Sequence, residues 1–149
     1  MNELHAATRE PAPQTISTVL IIDDEREVVR LVTLMLGQSG YLCVGCESIR
    51  DALPLMDTRH FDAVLCELHL PDSGGLELLR SVRQRYRRLG FVMMTGEVDP
   101  LACARAMREG ADDYLLKPFS KEALQTSIVE TLRRKKREVQ RNKYWRRED

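Results

Sequence analysis

Five short apolar runs recur along the chain, TVLII at 18–22, YLCVGC at 41–46, AVLC at 63–66, FVMM at 91–94 and YLL at 114–116, and a stretch of helical spacing follows each. Runs this short and this continuously apolar are what a strand shows when both of its faces are covered. Strand and helix therefore alternate five times. That pattern dictates a parallel sheet with right-handed crossovers and helices on both faces.

The segments between the runs obey the same logic. After the first run, Val28, Leu31, Val32, Met35 and Leu36 predict a helix from Glu27 to Leu36, ended by Gly37 or Gly40. Ser48 is a candidate N-cap for a second helix reaching Met56. A third, from Gly75 to Leu89, turns Leu76, Leu79, Val82 and Tyr86 inward and leaves Arg80, Arg83, Arg85, Arg87 and Arg88 as a solvated face. Leu101 to Arg108 is a fourth, stopped by Gly110. The last starts near Ser120 with Leu124, Ile128 and Leu132 as its stripe, and continues past the sheet into RRKKREVQRNKYWRRED.

The third run is the most informative. In FDAVLCELHLPDSGG (61–75) a buried strand ends at a carboxylate, Glu67, and Pro71, Gly74 and Gly75 turn the chain into the next helix. The carboxyl rim of an open α/β sheet is where sites form. Other strand ends carry Asp23 and Asp24, Thr95, and Lys117. Three carboxylates, a lysine and a hydroxyl suit a hard divalent cation and a phosphoryl-like anion. Chance capping residues explain each position singly and all five together poorly.

Composition narrows the class. With 149 residues, 43% hydrophobic and 31% charged, the chain is long enough for one domain with a core. No run approaches a membrane span and the first residues lack a secretory h-region, so a cytoplasmic protein is expected. The four cysteines read as packing thiols. Cys43 and Cys46 form C-x-x-C within a strand, where residues three apart face opposite ways. The net charge of zero conceals a basic tail of ten Lys/Arg against five Asp/Glu from Lys121 onward.

LIIDDE at 20–25, FDAVLCELHLPDSGGLELL at 61–79, FVMMTG at 91–96 and GADDYLLKPFS at 110–120 together resemble the receiver domain of bacterial response regulators, over residues 18 to 132. The resemblance implies a flavodoxin-like (βα)5 three-layer sandwich with strand order 2-1-3-4-5, which brings the five rim residues together. It further implies that Asp23 and Asp24 bind Mg2+, with Glu67 beside them. Thr95 becomes the switch hydroxyl, Tyr114 the aromatic that changes rotamer, Lys117 the characteristic lysine, and Lys117-Pro118 a cis peptide.

One position departs from the family's pattern. Where the phosphoacceptor aspartate belongs, this chain has Glu67. Asp62 lies about 16 Å away at the wrong end of the strand, at 3.3 Å per residue, and Asp72 sits in the following loop, so neither replaces it. The chain is expected to act as a pseudo-receiver in phosphorelay signalling, with no catalytic residue, with Mg2+ binding weakened or lost, and with a histidine-kinase partner put in doubt. Glu67 either pairs with Lys117 or Thr95 and imitates the phosphorylated state, or leaves an inert scaffold. The competing class is a Mg2+-dependent phosphatase or phosphotransferase on the same rim, against which stands the lack of a nucleophile.

Residues 1–17 read as a flexible leader and 133–149 as a basic helical extension toward an output domain. A homodimer through the last helix and its neighbours is expected by the resemblance. The basic tail carries no recognition-helix pattern, and a nucleic-acid role is not expected of it.

Overall fold

The computed structural model describes residues 15–145. Its elements run β1 (Thr18–Ile22), α1 (Arg26–Gln38), β2 (Leu42–Cys46), α2 (Ile49–Thr58), β3 (Ala63–Glu67), α3 (Gly75–Arg85), β4 (Gly90–Thr95), α4 (Pro100–Arg108), β5 (Asp113–Leu116) and α5 (Lys121–Trp145). The five strands form one parallel sheet in the order β2-β1-β3-β4-β5. The reversal of strand order falls between β1 and β3, which places their carboxyl ends side by side.

Alternate strand residues feed two cores. Val19, Ile21, Leu65, Val92 and Met94 pack with Val32 and Leu36 of α1 and with Leu124 and Ile128 of α5. Leu20, Ile22, Val64, Phe91 and Met93 pack against α2, α3 and α4 on the other face. Every residue of β3 and β4 is buried, which is why their sequences show no polar alternation. Cys43 packs into the α1/α5 core and Cys46 into the opposite one, so the C-x-x-C thiols are separated by the sheet. Burial pushes both thiols up to about 11.

Capping follows the sequence. The Ser48 hydroxyl accepts from Asp51 N–H at 3.1 Å, Asp99 from Ala102 N–H at 3.1 Å, and Ser120 from Ala123 N–H at 3.0 Å. Gly40 and Gly110 end their helices with φ of 89° and 109°, in the left-handed region where glycine alone is unstrained. Gly75 is required for a different reason. A Cβ there would lie 2.7 Å from Glu67 carbonyl oxygen and 2.9 Å from Met93 Sδ, so only glycine lets α3 start against the end of β3.

Two expectations are corrected in α3. The helix stops at Arg85 rather than Leu89, because Leu89 is buried at the entry to β4 and Gly90 N–H must reach Asp62 carbonyl oxygen at 3.0 Å. Arg83 is not on the solvated face. Its guanidinium donates to Gly110 O, Leu89 O and Asp112 Oδ2 at 2.7, 2.6 and 2.9 Å. The anchor is Asp112, buried and 29 residues away, which helical spacing cannot reveal. Among the described residues no helix is long and apolar enough to cross a membrane. Residues 1–14 of the expected leader and the last four residues of the extension lie outside the described residues.

Candidate functional site

The site forms at the carboxyl rim, where β1, β3, β4 and β5 each deliver one group. Asp23, immediately after β1, is fully buried: Oδ1 accepts Glu25 N–H at 2.9 Å and Oδ2 meets Lys117 Nζ at 2.7 Å. Glu67 closes β3 and is 6% exposed. Its Oε1 accepts His69 N–H at 3.3 Å, and its Oε2 lies 2.7 Å from Lys117 Nζ in an ion pair without hydrogen-bond angles. Thr95 ends β4 fully buried, its hydroxyl oxygen accepting Glu97 N–H at 3.2 Å. Lys117 follows β5, with its backbone N–H on Thr95 O at 2.7 Å, and the Lys117-Pro118 peptide is cis.

One ammonium thus bridges two buried carboxylates from strands on either side of the switch point, with Glu25 Oε1 a further 3.6 Å from it. Burial opposes the Lys117 charge most strongly. The hydrogen bond to Asp23 and the contact with Glu67 outweigh it, so the ammonium is held above its ordinary value of 10.5. Lys117 is therefore a fixed cation at neutral pH.

The remaining expected residues divide. Tyr114 is brought in: its ring is partly buried, and its hydroxyl is enclosed without a partner. Burial is the largest cause of its raised pKa, and the charges of Asp99, Glu67 and Glu97 add to it. Asp24 is not brought in. It is exposed and makes no hydrogen bond or ion pair among the described residues, because consecutive residues leaving β1 point apart and only Asp23 turns inward.

The expected Asp23, Asp24 and Glu67 ligand set is therefore not assembled, and among the described residues no three His, Cys, Asp or Glu side chains group as a metal cluster. The oxygens of Asp23 and Glu67 are spoken for by Lys117 and by backbone N–H groups. Mg2+, which takes several oxygens in near-octahedral geometry, would have to compete with Lys117 for the Asp23 and Glu67 oxygens.

The other acidic residues near the strand are structural. Asp62 Oδ2 accepts Thr18 N–H at 2.7 Å at the amino end of β3, and Asp72 Oδ2 accepts Arg50 N–H at 3.0 Å. Sequence reasoning missed Glu25, His69 and Glu97, which ring the mouth; His69 Nε2 lies 3.5 Å from Glu97 Oε2. Their only signal was a position within three residues of a strand end.

A doubly wound, flavodoxin-like sheet whose switch point carries buried carboxylates, a threonine and a lysine defines the class of protein. The profile of the response regulator receiver domain matches residues 19–129, and the chain belongs to that family. Its members are modules of two-component signalling. Response regulator protein FleR of Pseudomonas aeruginosa is 38% identical over 110 residues, covering 71% of this chain and 22% of FleR. Transcriptional regulatory protein BasR of Escherichia coli is 32% identical over 116 residues, 78% of this chain and 52% of BasR. Among solved structures, a putative response regulator from Chloroflexus aurantiacus superposes with a TM-score of 0.75 at 32% identity, covering 79% of this chain and 98% of that one. The chain spans about half or less of the length of the curated relatives it matches.

Proposed function

We propose that this chain is a pseudo-receiver, a two-component signalling module whose state does not depend on aspartyl phosphorylation. The observation that carries the reading is the 2.7 Å approach of Glu67 to Lys117. A phosphoaspartate would place nearly two negative charges beyond the end of β3; the extra methylene of glutamate carries one charge in the same direction, onto the lysine. The enclosed Tyr114 hydroxyl supports a switch biased toward its signalling state rather than an inert scaffold. The Thr95 hydroxyl, engaged among the described residues only by Glu97 N–H, limits the bias to what one charge-assisted contact supplies. That is about 1.5–3 kcal/mol before desolvation.

Residues 18–132 form the receiver and 133–149 a basic extension leading to an output domain or partner. Leu101 at 83% exposure, with Leu116 at 46% and Met107 at 43%, gives α4 and β5 an uncovered apolar face beside α5. Homodimerisation through that face and α5 would cover it. The module works by contact, not turnover, and Mg2+ is weakly held or absent.

Beryllofluoride with Mg2+ and acetyl phosphate test the reading. Wild type is expected to bind beryllofluoride at least tenfold more weakly than Glu67→Asp by fluorescence titration, and to form no acyl phosphate on phosphate-affinity gels. Equal binding, or phosphorylation of the wild-type chain, would overturn it.

A further inference from the structure

A groove lies at the end of the sheet opposite Glu67. It encloses about 880 Å3 between the amino ends of β1, β3 and β4 and the part of α5 that overhangs them. Its lining includes buried Met56, Phe61 and Leu89, and partly buried Tyr86, Leu132 and Val139 supply further apolar surface. Around this lining stand six cations: Arg59, Arg85, Arg87, Arg88, Lys135 and Lys136.

The cations are not neutralised where they stand. Asp62 is the one carboxylate in the lining, and both of its oxygens are already engaged, by Thr18 N–H at 2.7 Å and by His60 at 3.2 Å. Lys135 is paired with Asp112 at 3.0 Å, and Arg85 only grazes Asp57 at 4.0 Å. Arg59, Arg87, Arg88 and Lys136 are exposed and have no ion pair among the described residues. Four uncompensated charges around an apolar hollow oppose one another until an anion joins them.

We propose that this groove binds a phosphorylated small molecule with a planar or apolar body, the class to which nucleoside phosphates belong. The volume is that of a pocket for an organic ligand, and Met56, Phe61, Tyr86, Leu89, Leu132 and Val139 give it an apolar wall within a polar and cationic rim. A phosphate meets guanidinium groups in bidentate geometry, and three of the four free cations are arginines. More than one negative charge is needed to offset them. The apolar lining, with an aromatic ring in Tyr86, has no use for a bare inorganic anion and takes the ligand's body. Such a ligand would bridge α3, β4 and α5 from below the sheet, independently of the rim at Glu67.

Calorimetric titration of the full 149-residue chain tests this with ATP, adenosine, inorganic tripolyphosphate and a single-stranded 20-mer. ATP is expected to bind at one site, at least tenfold more tightly than adenosine or tripolyphosphate, and to raise the melting temperature. Arg59→Glu with Arg88→Glu should weaken ATP tenfold or more. Arg30→Glu, an equal charge reversal per site on the exposed face of α1, should leave ATP binding unchanged, and all three side chains are exposed enough to leave the fold intact. Val139→Ser should weaken ATP but not tripolyphosphate. Equal affinity for tripolyphosphate and ATP would overturn the proposal in favour of bare charge. Tighter binding of the 20-mer than of ATP would overturn it in favour of a nucleic-acid surface, and an absence of ATP binding would overturn it outright. Glu67→Asp should bind ATP as wild type does, which keeps this result separate from the phosphorylation reading.

Discussion

Lys117 is the residue on which the rim depends, because it is the cation shared by Asp23 and Glu67. Replacing it with methionine leaves two buried carboxylates facing each other. Lys117→Met is expected to cost about 3 kcal/mol in urea unfolding at neutral pH, and adding Glu67→Gln should recover part of that loss by removing one charge. The pH dependence has a definite sign. A lysine whose folded pKa is raised binds its proton more tightly in the native state, so its contribution is complete below the unfolded value of 10.5 and fades as pH rises through the folded one. The stability gap between wild type and Lys117→Met should therefore be flat from pH 8 to 10 and narrow above about 10.5. A gap that closed between pH 6 and 8 would show that some other group holds the site.

At the scale of elements, the ends of α3, β4 and α5 are tied by Asp112 rather than by apolar packing alone. Its carboxylate accepts Phe91 N–H at 2.8 Å and Arg83 Nη2 at 2.9 Å, and lies 3.0 Å from Lys135 Nζ. Arg134 donates to its carbonyl at 2.9 Å. Deleting the anion strands two half-buried cations and one buried backbone donor. Asp112→Ala is expected to lose about 3–5 kcal/mol, a buried-pair magnitude, and amide exchange should speed up first at the start of β4 and around Arg134 and Lys135 of α5. The Arg80–Glu109 pair joins α3 to the residue after α4 with two short bonds, 2.9 and 2.7 Å, yet it is solvent-screened and adds little. Buried Asp112, not the better-looking surface fork, fixes α3.

Over the whole molecule, two unlike surfaces lie apart from the rim. One is the apolar face of α4 and β5; the other is the basic groove under the sheet. The first predicts association: light scattering should show a dimer, and Leu101→Glu with Leu116→Glu should return it to monomer with its melting temperature nearly unchanged, because both side chains are exposed. A monomeric wild type would remove this face from the reading. α5 connects the two surfaces, since its first half closes the core through Leu124 and Ile128 while Lys135, Lys136 and Val139 overhang the groove.

The chain alone determined the five strand–helix repeats, the N-cap at Ser48, the start of the last helix near Ser120, and the position of Glu67, Thr95 and Lys117 at strand ends. These are local: they rest on side-chain period, capping chemistry and where an apolar run stops. Legible too was the separation of Cys43 from Cys46, since strand geometry alone puts them on opposite faces. The tertiary structure decided which rim residues meet. Asp23 and Asp24 are equivalent in composition, yet one turns inward to Lys117, 94 residues away, and the other faces solvent. It also decided that Arg83 is a clamp and not a surface charge, and that the tail's cations share a groove with those of the α3–β4 loop. Each of these depends on contacts between distant segments, and no periodicity within a segment encodes which distant charge it will face.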